Sequence, residues 1–516
     1  MARPAVLAAS PESPGLSVAR LRAVPPERRV PLTVFVTVLL LLLVQWAAFF
    51  PGLLSPDSYT YVWEVTTGHW ISDHSIAYDA LLWLSLKGTG GIWALTLAQA
   101  VAAAAVTAYT AGGLHRLGAR GRWIWASAVL LAVLPSTASF TMFVWKDVAF
   151  SLSALLAFGA CVHLLARFLE ARRTGQRPRP ARLDLGMLGL GFAGLALFRN
   201  NGLPVVLVAA VALLVFLPGM RKAVLLVTAA AVALYALLGF GVYPAAGVRS
   251  PQGDSVYALN FVEIGVVYKV DPSSFTAADL QLMQKVAPLS HWRQDSDCSY
   301  ADSLMWAPFN PAAANRYSSQ LLGLWVRVVE RTPLQVVRAH LCMTTVAWLP
   351  IATTDRTLTY VTMPTPSGGL PGSWSYHSNA AGITGTLHGN PYLPALRSAP
   401  LSATLHRELN RVYVDSTLPY PSRVIWRGVD WCYLTYGILL FLAWRRRNRA
   451  LCALLGVSLG LQLTVLAANP SQLARYMIAP VFIGLMCLPL LAPRRRNGPP
   501  WSTTPDQGTA DQGTAE

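Results

Sequence analysis

Charge is what this chain has least of. Only 13% of its 516 residues are Asp, Glu, Lys or Arg, about half the share carried by an ordinary soluble domain. That deficit excludes a solvated surface around most of the molecule. The six cysteines include no Cys-x-x-Cys spacing, so a thiolate metal or redox centre is not expected. Also absent are a Gly-rich loop ending in Lys-Ser/Thr, a dinucleotide fingerprint, His-Glu-x-x-His and Gly-x-Ser-x-Gly. ATP- or NAD-driven chemistry is therefore not expected. The hydrophilic stretches between apolar runs on the basic side are too short to hold a nucleotide-sugar domain. No inverted repeat of the kind found in many transporters is visible.

What the chain has instead is apolar sequence, 54% of it. Runs of about 17–25 apolar residues recur, the length at which a helix crosses hydrocarbon. The runs at 31–50, 92–114, 123–135, 148–168, 185–198, 203–217, 223–242, 424–444, 451–468 and 476–491 read as about ten spans. The expected fold class is an all-α polytopic membrane protein with a large extracytoplasmic segment. The net charge of +17 would suggest nucleic acid in a soluble protein. Here it concentrates in Arg clusters at 116–122, 172–182, 445–449 and 494–496, so it reads as an orientation signal and no nucleic-acid partner is expected. Placing every cluster in the cytoplasm puts both termini inside.

The boundaries follow: a cytoplasmic tail over 1–30, a transmembrane module over 31–243 with a first outer loop at 51–91, an extracytoplasmic region over 244–422, C-terminal spans over 423–493, and a disordered cytoplasmic tail over 494–516. The first span reads as a retained anchor rather than a cleaved signal. Residues 76–87 are amphipathic and too short to cross, which suits the interface. The apolar stretch 336–351, broken by Arg338 and His340, reads as an amphipathic or membrane-dipping helix. Cys298 and Cys342 both fall in the outer region, where a disulfide can form.

Seven polar residues collect at the outer ends of spans: Asp57, Asp73, His74, Lys146, Asp147, Arg199 and Arg475. A carboxylate at a bilayer surface can hold an elevated pKa and act as a general base. Asp57 could also hold a divalent cation with His74 or Asp73, or be a solvated loop acid. Lys146 and Asp147 can pair, or Asp147 can cap its helix. The run Arg199-Asn200-Asn201-Gly202 is accounted for at its end by turn chemistry. Outer Arg199 and Arg475 oppose the positive-inside bias, and a guanidinium fork matches phosphate oxygens.

A loop-one acid, an interfacial helix, about ten spans and a large outer segment together resemble the GT-C class of integral membrane glycosyltransferases. Trp145-Lys146-Asp147, Arg199-Asn200-Asn201-Gly202 and Arg475-Tyr476 are similar to short motifs of its uncharacterised bacterial and actinobacterial members. The resemblance implies sugar transfer from a polyprenyl-phosphate donor on the outer face of the bacterial cell membrane, with membrane lipid as the surroundings. It implies Asp57 as base and Asp73 as a second acid. Lys146, Asp147, Arg199, Asn201, Arg475, Tyr476 and His74 would bind substrate, with no cofactor beyond a possible divalent cation. Many relatives follow the second acid with His-Pro, where this chain has His74-Ser75. Two other functions share the outer cations: a lipid-linked saccharide polymerase or ligase, and a transporter or flippase of a lipid-linked precursor. A transporter would place its polar residues near mid-membrane.

Overall fold

The computed structural model describes residues 26–250, 256–298, 300–350, 375–378 and 383–493. The expected tails, apart from 26–30, lie outside the described residues. The chain is built of helices: α1 (Pro26–Ala48), α2 (Pro56–Thr67), α3 (Ile76–Thr89), α4 (Trp93–Arg116), α5 (Gly121–Val133), α6 (Lys146–Arg173), α7 (Arg182–Phe198), α8 (Gly202–Phe216) and α9 (Arg221–Ala236) form the first part. After them come α10 (Ala258–Val270), α11 (Ala277–Gln284), α12 (Ser318–Arg331), α13 (Pro333–Met343), α14 (Ala403–Ser416), α15 (Gly428–Arg445), α16 (Leu455–Ala467) and α17 (Ala479–Cys487). One short antiparallel hairpin, β1 (Ser375–Ser378) with β2 (Ile383–Thr386), interrupts the helices.

Among the described residues, six helical segments are by length and composition long and apolar enough to cross a membrane, or seven if α5 and the helical turn after it, bent by 70°, count as one span. This corrects the reading of ten. The run at 185–198 becomes a helix of 17 residues and that at 203–217 one of 15, about 26 and 23 Å long at 1.5 Å per residue, short of a hydrocarbon core of about 30 Å. In α15, Asp430, Arg445 and two Tyr residues dilute the apolar character. The long, apolar helices make this an all-α membrane protein.

Helix α6 is the centre: 94% of its apolar window lies inside the protein, against 11% for Pro218–Ala245. Small residues let neighbours approach. A Cβ on Gly191 of α7 would stand 2.8 Å from the Ala157 nitrogen of α6, the close contact that membrane helices obtain from Gly, Ala and Ser. At the C-terminal end of α6 lies a polar stitch. His163 Nε2 meets the Tyr109 carbonyl (2.9 Å), and Asp184 accepts from Arg167 Nε (2.5 Å) and the Tyr109 hydroxyl (3.2 Å). The interior is therefore less free of charge than the runs imply, and Asp184 there is paired.

Residues 257–343 have a core of their own around Phe261, Trp292, Leu321 and Met343. The stretch beginning at 336 is α13 followed by the turn Thr345–Trp348, and it links this core to the bundle. Cys298 and Cys342 are joined, with Cα atoms 5.6 Å apart. Gln472 donates to both of their carbonyls (3.3 and 2.7 Å), and Asn469 donates to that of Met343 (2.8 Å). Residues Leu387, Leu396 and Tyr413 pack instead into the main core.

Candidate functional site

The site begins with two strands of irregular backbone laced together. Leu53 N–H donates to the Met142 carbonyl (2.9 Å) and Val144 N–H returns to that of Leu53 (3.0 Å). Helix α2 opens at the next residues. Ser55 caps it in a reciprocal box with Ser58, and Pro56 occupies the first turn beside Asp57, an arrangement that fixes the entry angle and favours an acid. The Ser55 hydroxyl also accepts from Trp145 Nε1 (2.7 Å), and Ser58 donates to the Val144 carbonyl (2.9 Å). The start of α2 and the start of α6 are thus locked side by side, which brings Asp57 to Lys146 and Asp147.

The rest of loop one is tied down from two sides. The Ser75 hydroxyl donates to the Leu197 carbonyl (2.9 Å), and Lys146 Nζ to that of Asp73 (3.2 Å). Asn200 reaches the carbonyls of Ser72 and Asp73 (3.5 and 3.4 Å). Asn201, expected to bind substrate, stands at the start of α8 without a side-chain cap, and Asn200 takes the bridging position. Gly202 also needs a different explanation from turn chemistry. A Cβ there would fall 1.7 Å from the Leu195 carbonyl oxygen, so it is close backbone approach that demands glycine.

The cations converge. Arg475, from the short turn before α17, pairs with Asp57. Its guanidinium carbon lies 5.3 Å from the Trp145 ring centre and 5.4 Å from that of Tyr476. Arg199 lies over the same Tyr476 ring at 4.6 Å and pairs with Asp147 at 3.0 Å. Asp147 is buried, so this pair is held away from water. Asp57, Lys146, Asp147, Arg199, Arg475 and Tyr476 therefore come together from four separate parts of the chain.

Asp57 departs from the expected electrostatics. Burial pushes its carboxyl up, but the charges of Arg475, His74 and Lys146 and the hydrogen bond from Arg475 outweigh it, leaving it below its ordinary value. With its partner in place, Asp57 is an ionised acceptor and not a raised-pKa base.

Asp73 and His74 sit with an acid that the sequence did not single out. His74 Nδ1 is 3.0 Å from Glu64 Oε1 and 3.2 Å from Asp73 Oδ1. Burial pulls the imidazole down, yet the Asp73 and Glu64 carboxylates raise it to about 9. Burial raises Glu64, with His74 opposing. Asp79 in α3 is fully buried and also held well above its ordinary value, by burial first and the Glu64 charge second. Asp57 is not part of this group, so the expected pairing of Asp57 with His74 or Asp73 around a cation is replaced by one built on Glu64. One signal was available: Glu64 lies in Tyr59-Thr60-Tyr61-Val62-Trp63-Glu64-Val65, an acid inside a run that is buried throughout.

The segment around Tyr300, from the second core, lies near Asp57 and Arg475. Tyr300 bridges to Ser471, and Ala301 N–H donates to the Pro470 carbonyl (3.0 Å). Asp302, whose carboxyl is raised by burial first, feels the charges of Asp57 and Arg475. No curated protein and no solved structure matches the chain. A family model described as a family of unknown function (DUF6020) matches residues 75–304, which hold Lys146, Asp147 and Arg199 but leave Asp57, Glu64, His74 and Arg475 outside the matched stretch.

Proposed function

We propose that this chain is a GT-C-like membrane glycosyltransferase, moving a sugar from a polyprenyl-phosphate donor to a glycan, lipid or protein acceptor of the cell envelope. The observation that carries the reading is the meeting of Arg199 and Arg475 over one Tyr476 ring, with Asp57 as the counter-ion of Arg475. Two guanidinium forks and the nearby Lys146 ammonium form a receptor for phosphate oxygens. A donor phosphate draws Arg475 from Asp57. Released from its cation, the Asp57 carboxylate accepts the proton of the acceptor hydroxyl. The acceptor oxygen bonds to the anomeric carbon, the bond from that carbon to the phosphate oxygen breaks, and polyprenyl phosphate leaves with the electron pair.

Arg199→Lys tests the receptor. It retains the charge but loses the planar fork and the ring contact. Binding of a polyprenyl-phosphate sugar to the purified protein should weaken by about tenfold, one good charge-assisted bond. Unchanged donor affinity in this variant rejects the phosphate site.

The topology belongs to the same proposal: the site faces the cell exterior, and both termini are cytoplasmic. Arg116, Arg172 and Arg173 end their helices opposite the site, consistent with the positive-inside rule. In intact cells a membrane-impermeant thiol reagent should label a cysteine placed at the exposed Val270 and spare one at Gln176. Labelling at 176 reverses the orientation.

A further inference from the structure

Glu64, Asp73 and His74 offer three ligand atoms, His74 Nδ1 and one oxygen from each carboxylate, all within 4.8 Å of one another. An ion with bonds of about 2.1 Å spans up to about 4.2 Å between opposite donors, so these atoms need little or no movement to share one. A cluster of this kind can be no more than a histidinium held between two acids. What distinguishes it is the state of the buried oxygens around it.

Glu64 is fully buried and its Oε2 has no hydrogen-bond partner; Asp79, also fully buried, has none on either oxygen. Asp79 interacts electrostatically with Glu64, His74, Lys146 and Asp73. An unpaired buried carboxylate oxygen is costly to keep from water. Glu64 and Asp79 are buried and Asp73 is partly exposed, so three carboxyl groups gather at the edge of the interior, with Lys146 as a cation beside them. Two positive charges from an ion would bring that group to balance and give Glu64 Oε2 something to bind.

We propose that Glu64, Asp73 and His74 form a divalent-cation site, with Asp79 as the buried acid behind it that completes the charge balance. Two carboxylates and one imidazole select a first-row ion such as Mn²⁺ or Zn²⁺ rather than Ca²⁺, which takes six to eight oxygens. The site is separate from the Asp57–Arg475 pair and does not depend on what that pair transfers. The ion would tie the Asp73–His74 turn to Glu64 of α2 within loop one, the same turn whose Asp73 carbonyl receives Lys146.

The test uses the full-length protein in detergent, stripped with chelator and dialysed, then titrated with Mn²⁺ alone while free Mn²⁺ is followed by electron paramagnetic resonance. One tight equivalent is expected per chain. Asp73→Asn, at a side chain 25% exposed and therefore tolerant of change, should weaken it at least about tenfold, the lower bound for disturbing a ligand's surroundings. Glu64→Gln should remove it, while Arg199→Lys should leave it intact. No tight equivalent in the parent, or one that Asp73→Asn leaves unchanged, overturns the site whatever the fate of Glu64→Gln.

Discussion

Asp57→Asn should lose about a thousandfold in transfer while binding its donor at least as well as the parent. The size is that expected for removing a positioned base, about 10²–10⁴. The sign of the binding effect comes from the ion pair. In the resting site Arg475 is engaged by Asp57, so a donor phosphate has to displace a carboxylate before it can use that guanidinium. The amide keeps the size of the side chain and drops its charge, which removes the competitor along with the base. Folding should survive, because Arg475 still lies over Trp145 and Tyr476 and Asp57 is 32% exposed. Arg475→Lys should behave in the opposite way, with weak donor binding and Asp57 still present. Equilibrium binding and single-turnover transfer, measured side by side, separate the two. Parental turnover in Asp57→Asn rejects the base, and weakened donor binding there rejects the competition.

Much of this site was legible because its members break a rule. On the proposed topology Arg199 and Arg475 are cations at outer ends of apolar runs, where the positive-inside bias expects none, and Lys146-Asp147 places two charges at the start of a long one. Such anomalies identify a site without revealing contacts. That Arg475 would choose Asp57, and Arg199 would choose Asp147, depends on the backbone lacing of 53–55 with 142–145, which no local pattern encodes. Glu64 and Asp79 were missed for a related reason. Each sits in a short helix, where an acid ordinarily faces water, and only the packing of α2 and α3 buries them. Asn200 and Asn201 are adjacent and identical, so nothing but the turn geometry could tell which one bridges to loop one. The span count failed on length. The runs at 185–198 and 203–217 are apolar enough, but they form two helices of 17 and 15 residues on either side of a tight corner, short of a hydrocarbon core of about 30 Å. The second core was partly legible, since the whole of 244–422 has a soluble composition. Its division, with 257–343 apart and 387–413 against the bundle, was not.

Glu263→Ala should cost about 3 kcal/mol and remove the share of the pH dependence of unfolding between neutral and alkaline conditions that His340 contributes, leaving the share of His74 in place. Glu263 in α10 is buried, and both of its oxygens are in use, one accepting from Trp325 Nε1 (2.6 Å) and the other facing His340 Nδ1 at 2.7 Å. His340 Nε2 faces the Leu466 carbonyl at 2.7 Å, at the end of α16. With a carboxylate on one side and a carbonyl on the other, both ring nitrogens donate, so the imidazole is protonated. Its pKa is raised accordingly, by the Glu263 bond first and against burial. This cation ties the second core to the bundle. Breaking a buried pair costs about 3–5 kcal/mol, and the low end applies because His340 keeps 33% of its side chain exposed. For a group whose folded pKa is raised, the stabilisation is complete below the unfolded value of about 6.5 and is lost as pH rises through the folded value. Thermal unfolding followed by tryptophan fluorescence should therefore show the parent melting at lower temperature as pH increases above about 6.5, and Glu263→Ala melting low at every pH. In that variant the carbonyl contact with Leu466 needs only Nε2–H, which a neutral ring also supplies, so nothing there favours the protonated form as Glu263 does. A parent whose melting temperature is flat or rises over that range, or a Glu263→Ala protein as stable as the parent, shows that the junction is held by its apolar contacts at Val346, Val429 and Met477 and not by this ion pair.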